Sequence, residues 1–317
     1  MLFNSSHTLR FYRLLVITAL LVLPIHSWAL NIALVYNEDS GYQQSFMAEF
    51  VTQASSHNKL NITKMPAASL SISALKNKRF DTIVNLDNAT GEKLMVSNLA
   101  TNTFHALTTL ARARSFAPCL PKCSKSLPRH RFFVLDQPPA RQLRLIQLIS
   151  PSLTNIGVIV TNKSVTQLKP LIRFAKQHKL TISEHITNSD NMRYQIDDVS
   201  KSSDIILAVA DTDIYNASSL SQILLTSYRY RTPIIGFSKG FIKAGAIAGV
   251  VSNMQQLTKH LIESLASPEV LKKNLSNVVH PKYFNVITNR NVAKSLNLHF
   301  ATDDELKKQL TSYEAAR

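Results

Sequence analysis

Short apolar runs alternate with longer amphipathic segments along most of the chain after residue 29. The runs at 157–161 and 205–209 consist mainly of Ile, Val and Leu and lack strict apolar–polar alternation. Such runs are typical of parallel strands that are covered on both faces. In the segments between them, apolar residues recur every three or four positions, as at 220–229, which indicates amphipathic helices. The pattern therefore predicts an α/β protein.

This alternation is found in both halves of the chain. Strands are predicted at 32–36, 61–65, 82–86, 105–110, 131–135, 157–161, 180–183, 205–209, 233–237 and 246–251. The clearest helices are predicted at 43–54, 70–76, 165–178 and 220–229. The repetition favours two doubly wound parallel-sheet lobes. Pro138 and Pro139 mark the seam between them, because they stop a strand and allow a helix to begin.

The first 29 residues have the layout of a secretory signal peptide. Arg10 and Arg13 precede an apolar run at 14–25, and the small residues of 27–29 offer a cleavage site after Ala29. The run is shorter than the roughly 20 residues that a helix needs to span a bilayer. We therefore expect export to the periplasm and cleavage of the signal peptide. An uncleaved membrane anchor is the alternative.

The chain is basic, with 36 Lys and Arg residues against 20 Asp and Glu residues and a formal net charge of +16. Loss of Arg10 and Arg13 with the signal peptide leaves +14 (16 minus 2). Such a balance can indicate nucleic acid, an anionic membrane surface or an acidic ligand. The cations are scattered and form no basic arm, so a solvated basic surface without a nucleic-acid partner is favoured.

The sequence offers little for a metal, a cofactor or catalysis. Its two cysteines, Cys119 and Cys123, favour a short-loop disulfide in an oxidising compartment. Two thiols without a histidine pair nearby supply too few ligands for a metal ion. No nucleophile elbow, phosphate-binding glycine loop or H-E-x-x-H pattern is present. We therefore predict a binding protein without cofactor or metal, rather than an enzyme.

Polar residues follow most of the predicted strands, at the edge of a parallel sheet where ligands bind. Such loops suit a small zwitterion, because carboxylates bind an amine, helix-start amides bind a carboxylate, and aromatic rings form a wall. The residues at these positions are Ser40, Tyr42, Asp87, Asn88, Asn162, Asp211, Thr212, Asp213, Tyr215, Phe237 and Ser238.

Helix capping is the competing explanation for each polar residue of this set. Asp, Asn, Ser and Thr are the preferred N-caps, and a helix is predicted after each loop. Asp211 is the exception, because Asp213 or Asn216 can cap the following helix in its place. The rings of Tyr42 and Phe237 can equally belong to the core.

Four segments resemble one known family. They are 136–160 (DQPPARQLRLIQLISPSLTNIGVIV), 211–220 (DTDIYNASSL), 224–250 (LLTSYRYRTPIIGFSKGFIKAGAIAGV) and 284–298 (FNVITNRNVAKSLNL). Their order and spacing are similar to those of the ABC transporter substrate-binding proteins with the type I periplasmic-binding fold. The resemblance covers roughly 131–298 and is weak before 126.

The resemblance implies two lobes that are joined by crossover segments and that hold the ligand between them. The implied first lobe is 30–137 with 241–275 returning to it, and the implied second lobe is 138–240 with 276–317 as its tail. It points to Asp211, Thr212 and Asp213 as ligand contacts, followed by Phe237 and Ser238. The partner of a ligand carboxylate in the first lobe is expected among Ser40, Asn88 and Thr109.

These observations together predict an exported, monomeric solute-binding protein. It would capture a small organic solute, an amino acid or related anion, and deliver it to an ABC permease at the inner membrane. The alternative is a periplasmic subunit that presents the same bound ligand to a membrane signalling receptor. The residues do not separate these two functions, because fold and cleft are shared.

Overall fold

Two six-stranded sheets, each covered by helices, organise the computed structural model of the chain. The structure describes residues 29–316 apart from 57–59, 78, 98, 122, 124–125, 189–190 and 268–275. Among these residues, all the strand pairs are parallel except Ala248–Val251 with Asn285–Thr288. The predicted α/β architecture with two doubly wound lobes is therefore confirmed.

The first sheet has the strand order β11-β5-β4-β3-β1-β2 and forms the first lobe. Its strands are β1 (Leu30–Tyr36), β2 (Leu60–Pro66), β3 (Thr82–Asn85), β4 (Asn102–Thr108), β5 (His130–Val134) and β11 (Val278–Val279). The helices of this lobe are α1 (Gly41–Ser55), α2 (Ile72–Asn77), α3 (Asn88–Met95), α4 (Leu110–Phe116) and α10 (Met254–Ala266).

The second sheet has the order β12-β10-β9-β8-β6-β7 and forms the second lobe. Its strands are β6 (Asn155–Val160), β7 (Thr181–Ile186), β8 (Ile205–Leu207), β9 (Ile234–Ile235), β10 (Ala248–Val251) and β12 (Asn285–Thr288). Its helices are α5 (Pro139–Ile149), α6 (Leu168–Gln177), α7 (Met192–Ser202), α8 (Leu220–Arg229), α9 (Lys239–Ala244), α11 (Arg290–Ser295) and α12 (Asp303–Ala315). The helix predicted at 165–178 is divided, because a 3-10 turn at Val165–Gln167 precedes α6.

Each lobe has its own apolar core. In the first, Phe46 and Phe50 of α1 are fully buried against β1, and Leu261 of α10 joins the same cluster. In the second, Leu143 and Ile146 of α5 pack on the sheet. Burying one such side chain stabilises the fold by about 1.5–3 kcal/mol, so each lobe has its own source of stability.

Close contact between β9 and β10 requires glycine. A Cβ atom on Gly249 would lie 2.2 Å from the carbonyl oxygen of Gly236, so no larger residue fits there without moving the backbone. The two glycines of the apolar runs at 233–237 and 246–251 thus allow these short strands to lie side by side.

The chain crosses between the lobes three times. The crossovers are 135–138, between β5 and α5; 252–253, between β10 and α10; and 280–284, between β11 and β12. The boundaries differ from those implied by the family resemblance. The described part of the return to the first lobe covers 254–267 and 276–279 rather than 241–275, because α9 contacts β10 and β10 pairs with β9 and β12. In addition, β11 pairs with β5, so 278–279 belongs to the first lobe.

Two further expectations concern the amino-terminal segment and the two cysteines. Cys119 and Cys123 form a disulfide bond in the first lobe. The expected signal peptide lies outside the described residues. Among the residues that the structure describes, no helix has the length and apolar character needed to cross a membrane.

Two histidines, His105 and the half-buried His130, are in contact in the first lobe. Nε2 of His105 lies 3.0 Å from Nδ1 of His130, and the ring of His105 stacks on Phe132 at a centroid distance of 4.7 Å. Burial lowers the pKa of His105 to about 3. Burial and the neighbouring charge of Arg131 lower the pKa of His130 to about 4. Both rings are therefore neutral in the folded protein at neutral pH.

This pair predicts a loss of stability in acid. As the pH falls through 6.5, the unfolded chain takes up protons on these histidines while the folded chain does not, so the free energy of unfolding decreases between about pH 6.5 and 4. His130→Gln removes one such group. Its free energy of unfolding should therefore fall by about 2 kcal/mol less than that of the wild type between pH 7 and 4.5, in urea titrations.

His299→Gln is the matched control, because His299 is exposed on the loop before α12. It should follow the wild-type pH dependence. A His130→Gln curve that runs parallel to the wild type would contradict the assignment.

Candidate functional site

The carboxyl edges of the two sheets approach each other where the lobes are in contact, and the junction between these edges is called the cleft below. Arg114 of α4, in the first lobe, donates from Nη1 to the carbonyl oxygen of Lys163 at 3.2 Å and to Oγ1 of Thr166 at 3.0 Å. Lys163 and Thr166 follow β6 in the second lobe. Since α4 begins just after β4, these bonds join the two sheet edges at which helices begin and loops converge.

On the first-lobe side, three predicted residues are helix N-caps. Each side-chain oxygen accepts a hydrogen bond from the backbone N–H three residues later, which satisfies an amide of the first helical turn. The pairs are Ser40 with Gln43 at 3.4 Å, Asp87 with Thr90 at 2.7 Å and Thr109 with Arg112 at 3.2 Å. The capping explanation therefore holds for all three, and their positions bring the amino ends of α1, α3 and α4 to the cleft edge.

Two other first-lobe candidates are more accessible. Tyr42 lies in the first turn of α1 and is 52% exposed. Asn88 is the first residue of α3 and is half-buried. Both side chains are thus placed at helix starts beside the capping residues.

Asp211 is buried, with 1% of its surface exposed, and its carboxylate is occupied by neighbouring protein groups. Oδ2 accepts from Oγ1 of Thr161 and Oγ of Ser164, each at 2.6 Å. Oδ1 accepts from the backbone N–H of Asp213 at 3.0 Å. Asp211 therefore ties the loop after β6 to the loop after β8 and does not present its carboxylate to the cleft.

The remaining polar candidates of the second lobe lie at its surface. Thr212 and Asn162 are exposed. Asp213 is half-exposed and forms an ion pair with Lys163, with Nζ and Oδ2 2.7 Å apart. This rim therefore carries both an accessible carboxylate and an accessible ammonium group.

An aromatic cluster lies at the carboxyl ends of β8 and β9. The rings of Tyr215, Phe237 and Phe241 lie 5.4–5.7 Å apart. Tyr215 is buried, burial raises the pKa of its hydroxyl, and that hydroxyl has no hydrogen-bond partner among the described residues. Phe237 is half-buried, and Ser238 caps α9 by accepting from the N–H of Phe241 at 3.2 Å. Phe237 is thus the most accessible ring of the cluster.

Sequence reasoning missed the residues that connect the lobes. Besides Arg114, these include Asp136, which is 8% exposed and accepts from the N–H of Leu110 at 2.7 Å. Burial raises the pKa of Asp136 to about 6, although the hydrogen bond from the N–H of Leu110 opposes the shift. The double proline in the sequence indicated the boundary between the lobes. No local pattern, however, shows that the aspartate before it is buried.

The described residues contain no cluster of three or more His, Cys, Asp or Glu side chains placed to hold a metal ion. Fold and site together define a two-lobed α/β protein whose polar loops meet between its two sheets. The family model described as ABC transporter substrate binding protein matches residues 136–308, more than half of the chain. The chain belongs to this family, as the sequence resemblance indicated. This is a family of substrate-binding proteins rather than enzymes.

Solved structures share the fold. A substrate-binding protein with adhesive properties from Clostridium difficile, in its ligand-free, open form, has a TM-score of 0.61, with 15% identity over 87% of this chain and 97% of that chain. An ABC domain in complex with L-Trp from Streptococcus pneumonia has a TM-score of 0.56, with 15% identity over 86% and 96%. A conserved domain protein from Vibrio cholerae has the same TM-score and coverage, with 16% identity.

These likenesses show the type I periplasmic-binding-protein fold. The comparison with curated proteins found no match.

The bonding of Asp211 predicts a structural role. Asp211→Asn should lower the free energy of unfolding by about 2 kcal/mol, because hydrogen bonds to a charged group contribute about 1.5–3 kcal/mol. Urea denaturation at pH 7 measures the change.

Asp213→Asn is the control, since a half-exposed ion pair contributes about 0–1 kcal/mol. Equal effects of the two substitutions would contradict the structural role of Asp211.

Proposed function

We propose that the protein is an exported solute-binding protein that captures a small organic solute, an amino acid or a related small anion, in the cleft between its lobes. It delivers the solute to an ABC-type importer at the inner membrane and acts as a monomer in the periplasm. The observation that carries the proposal is the arrangement of two parallel sheets whose carboxyl edges face each other and are joined by three crossovers.

The chemistry of the cleft supports a zwitterionic or anionic solute. The amino ends of α1 and α4 bring first-turn N–H groups to the first-lobe edge, where they favour a carboxylate, whereas the amino end of α3 already holds the carboxylate of Asp87. Asn88 and the hydroxyls of Ser40 and Thr109 lie at the same helix starts.

On the opposite edge, Asp213 replaces Asp211 as the best candidate for a ligand amine, because its carboxylate is half-exposed. Thr212 and Asn162 are exposed beside it and can add hydrogen bonds. Phe237 and Tyr42 offer accessible aromatic surface for an apolar side chain. A solved structure of the same fold holds L-Trp, which makes aromatic amino acids the first compounds to test.

Closure of the two lobes strengthens the binding of the solute. When two lobes come together around a solute, water leaves the cleft and each charge–dipole contact gains energy in the lower dielectric. The direct bonds from Arg114 to the second lobe show that this part of the first-lobe edge comes within hydrogen-bonding distance of its counterpart.

The test is a binding screen with the purified mature chain. Amino acids, nucleobases and small organic acids are tested by thermal shift, and positive compounds are measured by calorimetry. A solute at 100 times its Kd should raise the free energy of unfolding by about 2.7 kcal/mol. Asp213→Asn should weaken the binding of an amine-bearing solute by roughly 10-fold to 100-fold, as expected for a lost charge-assisted hydrogen bond.

Asp197→Asn is the control, because Asp197 forms an exposed pair with Lys201 on α7. It should leave the Kd unchanged. The proposal fails if the folded protein is stabilised by none of these classes of compound. Asp213 is not a ligand contact if its substitution leaves the affinity unchanged.

A further inference from the structure

One arginine contacts two of the three crossovers. Arg141 lies in α5 and is 3% exposed. Its Nη1 donates to Oε1 of Gln137 at 2.6 Å, in the first crossover, and to the carbonyl oxygen of Pro281 at 2.8 Å, in the third. Its guanidinium also lies over the ring of Phe284, 4.0 Å from the centroid.

The crossovers are also bonded to one another. Nε2 of Gln137 donates to Oγ of Ser252 at 3.0 Å, and that hydroxyl donates to the carbonyl oxygen of Tyr283 at 2.6 Å. Nδ1 of His280 lies 2.7 Å from the carbonyl oxygen of Asp136. Each crossover is therefore hydrogen-bonded to the other two, and Gln137 links this ring directly to Arg141.

The other side of the guanidinium is held by the last helix of the chain. Nε and Nη2 of Arg141 donate to the two carboxylate oxygens of Glu314 in α12, at 2.6 and 2.7 Å. This planar, two-bond contact fixes the orientation of the guanidinium as well as its charge. Without Glu314, the buried cation would keep only neutral oxygen partners, so its position above the crossovers would no longer be fixed.

We infer that the Arg141–Glu314 pair positions the three crossovers and thereby sets the resting angle between the two lobes. The pair lies in the second lobe and does not touch the cleft rim, so it acts on solute capture only through the geometry of closure. This role rests on the proposed function for its biological meaning. The lobe geometry itself is measurable in the absence of any solute.

The experiment measures the distance between the lobes in the full mature chain without added ligand. Spin labels are attached at Val96→Cys in the first lobe and Leu225→Cys in the second, two sites that are 84% and 66% exposed. The native cysteines form a disulfide and do not take up the label. Double electron–electron resonance then gives the distribution of interlobe distances.

Glu314→Gln should at least double the width of this distribution, because the amide keeps the size of the side chain but cannot pair with both guanidinium N–H groups. Arg141→Lys should broaden it as well, because lysine keeps the charge and loses the planar fork. Asp197→Asn, which breaks an exposed ion pair on α7, should leave the width unchanged.

An unchanged distribution in Glu314→Gln would overturn the inference. If the melting temperature falls while the distribution stays the same, the pair contributes only to stability, and the positioning role is rejected. If Arg141→Lys does not fold, Glu314→Gln alone decides. Failure of every solute to bind would overturn the proposed function but leave this measurement valid.

Discussion

All the strands of a parallel sheet end at the same edge, and this constraint determines where most of the cleft lies. In each lobe the loops after the parallel strands, and the starts of the helices that follow them, converge on one edge. Three crossovers then hold the two edges opposite each other, and the bonds from Arg114 join them directly. Two separately packed cores therefore meet at one pair of sheet edges.

The fold itself uses much of the polar chemistry at these edges. Ser40, Asp87 and Thr109 cap helices, and Asp211 joins two loops inside the second lobe. Such residues shape the cleft by fixing its walls, since a satisfied cap keeps a helix start in place. The side chains that remain accessible, above all Asp213 and the exposed ring of Tyr42, are better placed to meet a solute.

Two ionisable side chains are buried at or beside the crossovers that join the lobes. A buried guanidinium is costly unless it is fully paired, and Arg141 meets this condition with a carboxylate, two neutral oxygens and an aromatic ring. Asp136, in the first crossover, is a second buried ionisable group, and its raised pKa reflects the same cost of desolvation. Polar contacts of fixed direction suit a hinge, because they define an orientation that apolar packing would leave less specific.

The sequence by itself determined the α/β class, the two lobes, the seam at Pro138 and Pro139, and the family. These features follow from local periodicity and turn chemistry, which are written in consecutive residues. It also indicated which loops lie at the sheet edge. The returns of the chain between the lobes and the role of Asp211 were decided only by the tertiary structure. Thr161 and Ser164 are about fifty residues from Asp211, and they meet it only because β6 pairs with β8. Likewise, Glu314 reaches Arg141 across 173 positions. Whether a polar side chain faces solvent or another side chain depends on such long-range neighbours, which no local pattern specifies.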